Sequence, residues 1–416
     1  MTQLESIRAN RVIVGNTQIL DAPHIAYLGL FNPTKHLDSI VAWLGHLSKG
    51  DVPLLVVDNH SDDDSWTITK QQVQDMYPNS VLVRNPINLG GFGSLSINLD
   101  LLKNCEWLTT FHQDDRYPAN HLTEHGKLAA DCEEDVAIIS SEQESFSPSG
   151  ARLGYPRASW LLGPAPNPVT LFLANLRHHT LAFSGATFRI QMLREISIPW
   201  HSTAFPDTEV VLKMLPKWTG IVTTASIVQY LENPISESHS IPDSEKNLGA
   251  TMSLIRVFSA SGFGELCGLV EESDLEAFVE ELMFGISARI PDSEAASTVS
   301  LVALEAMAQF FGPNPSIAKN IETHYASIGA SASASLLHRL HTFTGEEGAI
   351  PSESCVIVST DKSQNSPKNW AKVLIKQVLA RLLGLLPRGA RAFLVRAWLQ
   401  VLQVLKIRTK WHFNRR

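Results

Sequence analysis

Cysteine is scarce in this 416-residue sequence: Cys105, Cys132, Cys267 and Cys355 are the only four, and no two of them form a C-x-x-C pair. That excludes a disulfide scaffold and a cysteine-built zinc or redox centre, and it reads as thiols packed in a reducing compartment. Glycine (24) and proline (22) are too few for a collagen-like or low-complexity chain. Long apolar runs are also missing. The stretch most worth testing as a membrane span, 158–176, carries Pro164, Pro166, Asn167 and Pro168, which a lipid-facing helix does not tolerate. The first twenty residues mix Glu5, Arg8 and Arg11 with polar side chains, and no secretory leader is expected. With 44% hydrophobic and 18% charged residues, what remains is a folded composition with room for two or three domains.

Acidic residues vanish after Asp361. The 55 residues that follow hold 13 Lys/Arg and no Asp or Glu, whereas the preceding part has 21 Lys/Arg against 42 Asp/Glu. A basic tail on an acidic body marks an anionic partner for the tail.

The chain pattern is that of an α/β protein. Strands are expected at 24–31, 52–57, 81–84 and 107–111, and helices at 37–47 and 66–76 and around Leu95 and Leu99. Polar residues cluster just past the strand ends, as at a mostly parallel sheet with its site on the carboxyl edge. Residues 140–168 read as a long loop over the site, followed by a helix through Met192 and another opening at Phe205-Pro206-Asp207-Thr208-Glu209. The expected division is an N-terminal segment (1–23), a catalytic domain (24–240), a helical appendage (241–344), a Ser-rich linker (345–365) and a basic amphipathic helical tail (366–416).

Three motifs call for chemistry. Gly90-Gly91-Phe92-Gly93 follows a strand, but the third glycine of a dinucleotide loop is absent. His121-x-x-Glu124-His125 has the spacing of an inverted zinc-protease helix, yet it follows an acidic turn better suited to a cation held by oxygen. That turn, His112-Gln113-Asp114-Asp115, ends a strand and can hold Mg2+ or Mn2+ while leaving positions for phosphate; the alternative for its aspartates is helix capping.

In combination, four segments resemble family 2 glycosyltransferases of GT-A fold, especially their rhamnosyltransferase and galactofuranosyltransferase-like branch. Leu55-Val56-Val57-Asp58-Asn59-His60-Ser61 is similar to the family's V-V-D-N-x-S segment. Asn88-Leu89-Gly90-Gly91-Phe92-Gly93 resembles its N-x-G-G-x-G turn. Phe111-His112-Gln113-Asp114-Asp115 resembles the F-D-Q-D-S form of the metal motif. Ser184-Gly185, followed by Phe205-Pro206-Asp207-Thr208-Glu209, resembles the S-G … V-D-T-E segment.

The resemblance implies a nucleotide-sugar site at Phe31, Asn32, Asp58, Asn88, Gly90, Gly91 and Gln113. It also implies a metal on Asp114 with His112 or Asp115 as second ligand, His112 standing where the family has Asp, and a stand-in metal or phosphate histidine at His239. Asp207 is expected as general base and Glu209 as its acceptor-binding neighbour. The implied activity is inverting transfer of a sugar from a nucleotide-diphospho-sugar, of dTDP-rhamnose or UDP-sugar type, to a glycan or lipid-linked acceptor in cell-surface polysaccharide synthesis. The rivals are a catalytically silent sugar-nucleotide-binding or scaffold protein, which His112 keeps open, and a nicotinamide-dependent oxidoreductase, which the broken glycine pattern disfavours.

In the tail, Lys368, Lys372 and Lys376 lie at i+4 spacing opposite Val373, Leu374 and Leu379, with Trp370, Trp398 and Trp411 nearby. This pattern fits peripheral attachment to the anionic inner face of the cell membrane by a cytoplasmic protein. The alternative is a helix pair packed on the body or within a homo-oligomer. Nucleic acid is disfavoured by the acidic body.

Overall fold

The computed structural model describes residues 3–47, 52–63, 65–147, 149, 151–153, 167–196, 206–232, 242–312 and 314–327. Eight strands form one sheet: β1 (Val12–Val14), β2 (His24–Leu30), β3 (Leu54–Asp58), β4 (Ser80–Arg84), β5 (Trp107–His112), β6 (Val136–Phe146), β7 (Thr187–Arg189) and β8 (Thr219–Leu231). Their spatial order is β1-β4-β3-β2-β5-β7-β6-β8. The centre, β4-β3-β2-β5, is parallel, so its carboxyl ends line up on one edge. β7 runs antiparallel between β5 and β6, and β6 pairs parallel with β8.

Thirteen helices accompany the sheet among the described residues: α1 (Gln3–Ala9), α2 (Leu37–Leu47), α3 (Ser65–Met76), α4 (Gly90–Asn98), α5 (His121–Asp131), α6 (Pro168–His178), α7 (Ile190–Glu195), α8 (Pro206–Met214), α9 (Asp243–Phe258), α10 (Ser261–Cys267), α11 (Leu275–Arg289), α12 (Ser293–Phe311) and α13 (Pro315–Ser327).

Side-chain alternation along the central strands builds two cores. Ala26, Leu28, Leu54, Val56 and Leu82 meet Ile40, Trp43 and Leu44 of α2 and Val73 of α3. The intervening Ile25, Tyr27, Leu55, Val57, Val81 and Val83 face a larger cluster that reaches α4, α6, α8 and the C-terminal helices. Strands apolar on both faces are what a helix-covered parallel sheet requires.

The expected helical appendage is helical as far as Ser327, and it shares the sheet's core through Leu254, Phe258, Leu282 and Leu304. Gly285 of α11 lies against Leu176 of α6, where an added Cβ would stand 2.8 Å from Leu176 Cδ2. Arg289 closes the end of α6 by donating to the Leu176 carbonyl, and to that of Asn175 at 2.6 Å. Within the N-terminal segment, β1 forms an edge of the sheet, antiparallel to β4, and Arg11 pairs with Asp100 at 2.8 Å.

Three expectations are corrected. Residues 140–146 belong to strand β6 rather than to a loop. Their polar side chains find partners in the interior: Ser140 donates to Ala182 O at 3.1 Å, Ser141 meets His125 at 2.7 Å and Gln143 donates to Ser184 O at 3.3 Å. Thr187–Arg189 is a strand, inserted before the expected helix. The glycine turn is the first turn of α4, which begins at Gly90. In the stretch tested as a span, Asn167 caps α6 through the Thr170 amide at 2.8 Å, and Pro168 sits in its first turn. Among the described residues no helix is long and apolar enough to cross a membrane. The linker and tail, 345–416, lie outside the described residues.

Candidate functional site

The carboxyl ends of β2, β3, β4 and β5 present the residues singled out from the sequence. At the end of β2, Phe31 is exposed and Asn32 takes a left-handed conformation (φ 47°), which asparagine tolerates. Asn32 N–H donates to Ser61 Oγ and Asn32 Oδ1 accepts from the Asp62 amide, both at 3.0 Å. Asp58, at the end of β3, is buried and accepts from the Ser61 amide and hydroxyl. It also pairs with Arg84 at 3.2 Å. The Asp58 carboxylate therefore holds the 58–61 turn and the Arg84 side chain in place, a structural task beyond the nucleoside contact expected of it.

Beneath the glycine turn a ladder of amides joins Asn59 and Asn88 of the motifs to Asn85 and Asn98, which the motif reading did not single out. Asn59 donates to Asn88 Oδ1 at 2.7 Å and accepts at its own Oδ1 from the Leu89 amide (3.0 Å) and the Asn85 side chain (3.1 Å). Asn98 donates in turn to Asn85 at 3.2 Å. Asn59, Asn85 and Asn98 are buried while Asn88 is exposed. The ladder is neutral, so it fixes the turn without an ionic desolvation cost. Gly90 has φ 67°, and a Cβ at Gly91 would meet nothing within 4 Å. The Gly90 amide is taken by Asn88 Oδ1 at 2.9 Å, and the open space lies beside Gly91 in the first turn of α4.

Strand β5 delivers the acidic turn. His112, Asp114 and Asp115 each offer a ligand atom, all within 4.8 Å of one another. One imidazole nitrogen and two carboxylates fit a divalent cation. Asp115 is fully buried: Ser184 Oγ donates to its Oδ2 and the Leu231 amide to its Oδ1 at 3.2 Å. It therefore ties the turn to the Ser184-Gly185 segment and to the end of β8. Tyr117 bridges the same pieces, its hydroxyl accepting from the His112 amide at 2.7 Å and meeting Ser184 Oγ at 2.7 Å. Gly185 has φ 74°, and a Cβ there would stand 2.8 Å from Val228 Cγ2. Only glycine fits that position.

Helix α8 brings Asp207 to the same place. Its half-buried carboxyl is raised above the usual carboxylate range by burial, opposed by the Thr208 backbone N–H and by the facing His112 imidazole. Glu209 does not share the site. It is fully buried, and its oxygens are taken by Lys213 at 2.6 Å and by Arg256 at 2.5 to 2.9 Å. The expected acceptor-binding role is corrected accordingly: two positions along α8 is about 200° around the helix, so Glu209 points away from Asp207 and inward, where it fastens α8 to α9.

The zinc-like histidines are likewise structural. His121 and His125 are both buried and their rings stack at 4.2 Å. His121 bridges Ser226 (2.6 Å) and Gly185 O (2.8 Å); His125 bridges Thr187 (2.8 Å) and Ser141 (2.7 Å). Neither leaves a nitrogen for a metal. His239 and Phe205 lie outside the described residues.

Residues 35–196 match the profile of Glycosyl transferase family 2. The match covers 162 of the 416 residues, 35 to 196. The matched stretch contains Asp58, the Asn88–Gly91 turn, the acidic turn and Ser184-Gly185, and it ends before Asp207. No curated protein matches the sequence. Among solved structures, S. aureus TarS 1-349 in complex with UDP-GlcNAc aligns with 13% identity over 74% of this chain and 93% of that one, with a TM-score of 0.46. The mannosyltransferase PcManGT from Pyrobaculum calidifontis, in complex with GDP-Man and Mn2+, aligns with 14% identity over 78% and 83%, with a TM-score of 0.44. The turns after β2, β3 and β4 and the acidic turn after β5 lie on the carboxyl edge of the parallel strands.

Proposed function

We propose that the protein is a metal-assisted, inverting glycosyltransferase that moves a sugar from a nucleotide-diphospho-sugar, of UDP or dTDP type, to a hydroxyl of a glycan or lipid-linked acceptor. The observation that carries this reading is the His112, Asp114, Asp115 cluster, with ligand atoms within 4.8 Å of one another, to which the half-buried Asp207 carboxyl is electrostatically coupled through His112. A carboxyl raised by burial beside a cation-binding turn is suited to take a proton from an attacking hydroxyl. A cation held by Asp114 with His112, and Asp115 behind them, would supply positive charge to the departing diphosphate. Around it, Phe31, Asn32, Asn88, Gly90 and Gly91 line the donor side, with Gln113 beneath Phe31. The product belongs to cell-surface polysaccharide synthesis, made at the cytoplasmic face of the membrane with the basic tail as the anchor.

The test is a screen of nucleotide-diphospho-sugars by thermal shift, with and without Mn2+, followed by assay of nucleoside diphosphate release. The reading expects at least one sugar nucleotide to stabilise the protein in a metal-dependent manner, with that dependence lost in Asp114→Ala. Stabilisation by nicotinamide dinucleotides alone would contradict it.

A further inference from the structure

The acidic turn contains a nitrogen donor where three oxygen donors would suit a hard cation. We propose that His112 sets the metal preference of this site, favouring divalent transition ions that accept imidazole nitrogen, exemplified by Co2+, over Mg2+. The proposal rests on the metal-assisted reading above and deepens it.

His112 is built in as a ligand rather than left as a loose surface side chain. Its backbone amide is fixed by the Tyr117 hydroxyl at 2.7 Å. Its ring lies nearly parallel to that of Phe183, with centroids 6.1 Å apart and planes at 28°. Phe183 is itself wedged between Phe92 at 4.7 Å and Phe188 at 4.6 Å. The imidazole remains 42% exposed, with Nδ1 4.0 Å from Asp115 Oδ2. Asp115 is held in turn by the Ser184 hydroxyl and the Leu231 amide. Such supporting contacts orient a ligand before the ion arrives.

The chemistry follows from the donor set. Mg2+ is small and hard, keeps its waters and prefers carboxylate oxygen. Imidazole suits the later first-row ions, whose affinity rises from Mn2+ through Co2+. A neutral imidazole in place of a carboxylate also removes one negative charge, which weakens the hold on Mg2+ most because its binding is the most purely electrostatic. The contrast between ions, rather than the affinity for any one of them, is therefore the signature of His112.

The full-length protein and His112→Asp are titrated by calorimetry with Mg2+, Mn2+ and Co2+ alone, and the visible absorption of the Co2+ complexes is recorded. The parent chain should bind Co2+ at least about tenfold tighter relative to Mg2+ than the variant does, the gap narrowing chiefly because His112→Asp gains Mg2+. The Co2+ spectrum of the parent should show nitrogen ligation that the variant lacks. Equal Co2+ to Mg2+ ratios in the two proteins would overturn the proposal, and so would a parent Co2+ spectrum with oxygen ligands only, which stands even if the variant fails to fold. Binding of none of the three ions, in a protein that still binds a nucleoside diphosphate, would overturn the metal-assisted reading with it.

Discussion

Gln113 grips the backbone of Phe31 at both ends: its Oε1 accepts from the Phe31 amide at 2.9 Å and its Nε2 donates to the Phe31 carbonyl at 3.0 Å. The residue after His112 thus locks the end of β2 to the acidic turn, and in the proposed reading it couples the donor to the metal. Gln113→Ala should lower donor affinity about tenfold through two lost hydrogen bonds at about 0.5–1.5 kcal/mol each. Calorimetry with the preferred nucleotide-sugar measures it; unchanged affinity would uncouple the two halves.

The Glu209 ion pairs predict a defect of stability rather than of chemistry. Glu209→Ala leaves Lys213 and Arg256 without their buried counter-charge and should cost on the order of 3 kcal/mol in urea unfolding, softened by the partial exposure of the two cations. An unfolding midpoint equal to that of the parent, combined with lost acceptor affinity, would return Glu209 to the site.

Acid should weaken the fold through its buried histidines. Burial brings His24 and His121 down to about 4 and holds His125 well below its ordinary value. The unfolded chain titrates near 6.5, so on acidification it takes up protons that the folded state refuses. The contribution is fully present above about pH 6.5 and is lost as the pH falls toward 4, by roughly 3 kcal/mol each for His24 and His121. Melting temperatures across this window should fall steadily; a flat profile between pH 7 and 4.5 would contradict the burial argument.

The basic tail, proposed as a membrane anchor, makes a prediction in salt. Its 13 positive charges should each gain on the order of 1 kcal/mol near an anionic surface. The full chain should co-sediment with phosphatidylserine vesicles at low salt and come off near 1 M, while a chain ending at Asp361 should stay in solution with its donor binding intact. A truncated chain that melts lower or changes its oligomeric state, with no vesicle binding by the full chain, would place the tail on the body or in a homo-oligomer.

The central strands were legible because Leu54–Val57 and Val81–Val83 are buried on both faces, so composition alone marks them. Helix α2 was legible from its apolar spacing. Strand β6 was not, because Ser140, Ser141 and Gln143 look like loop residues until Ala182, His125 and Ser184 supply partners far away in the sequence. The same distance effect hid the inward turn of Glu209, since Arg256 lies 47 positions further along. Asp207 and the acidic turn were legible as motifs. The electrostatic coupling of Asp207 to His112 joins residues 95 positions apart, which no local pattern records.

The account turns on Asp207. Asp207→Asn keeps the side-chain size and most of its hydrogen bonding while removing the basic oxygen, so melting temperature and donor affinity should match the parent. The most direct measurement is the turnover of sugar transfer by this variant at saturating donor. The account predicts a fall of roughly 10²–10⁴, the usual contribution of a positioned general base. Turnover within a factor of a few of the parent, with the protein folded and donor bound, would contradict it.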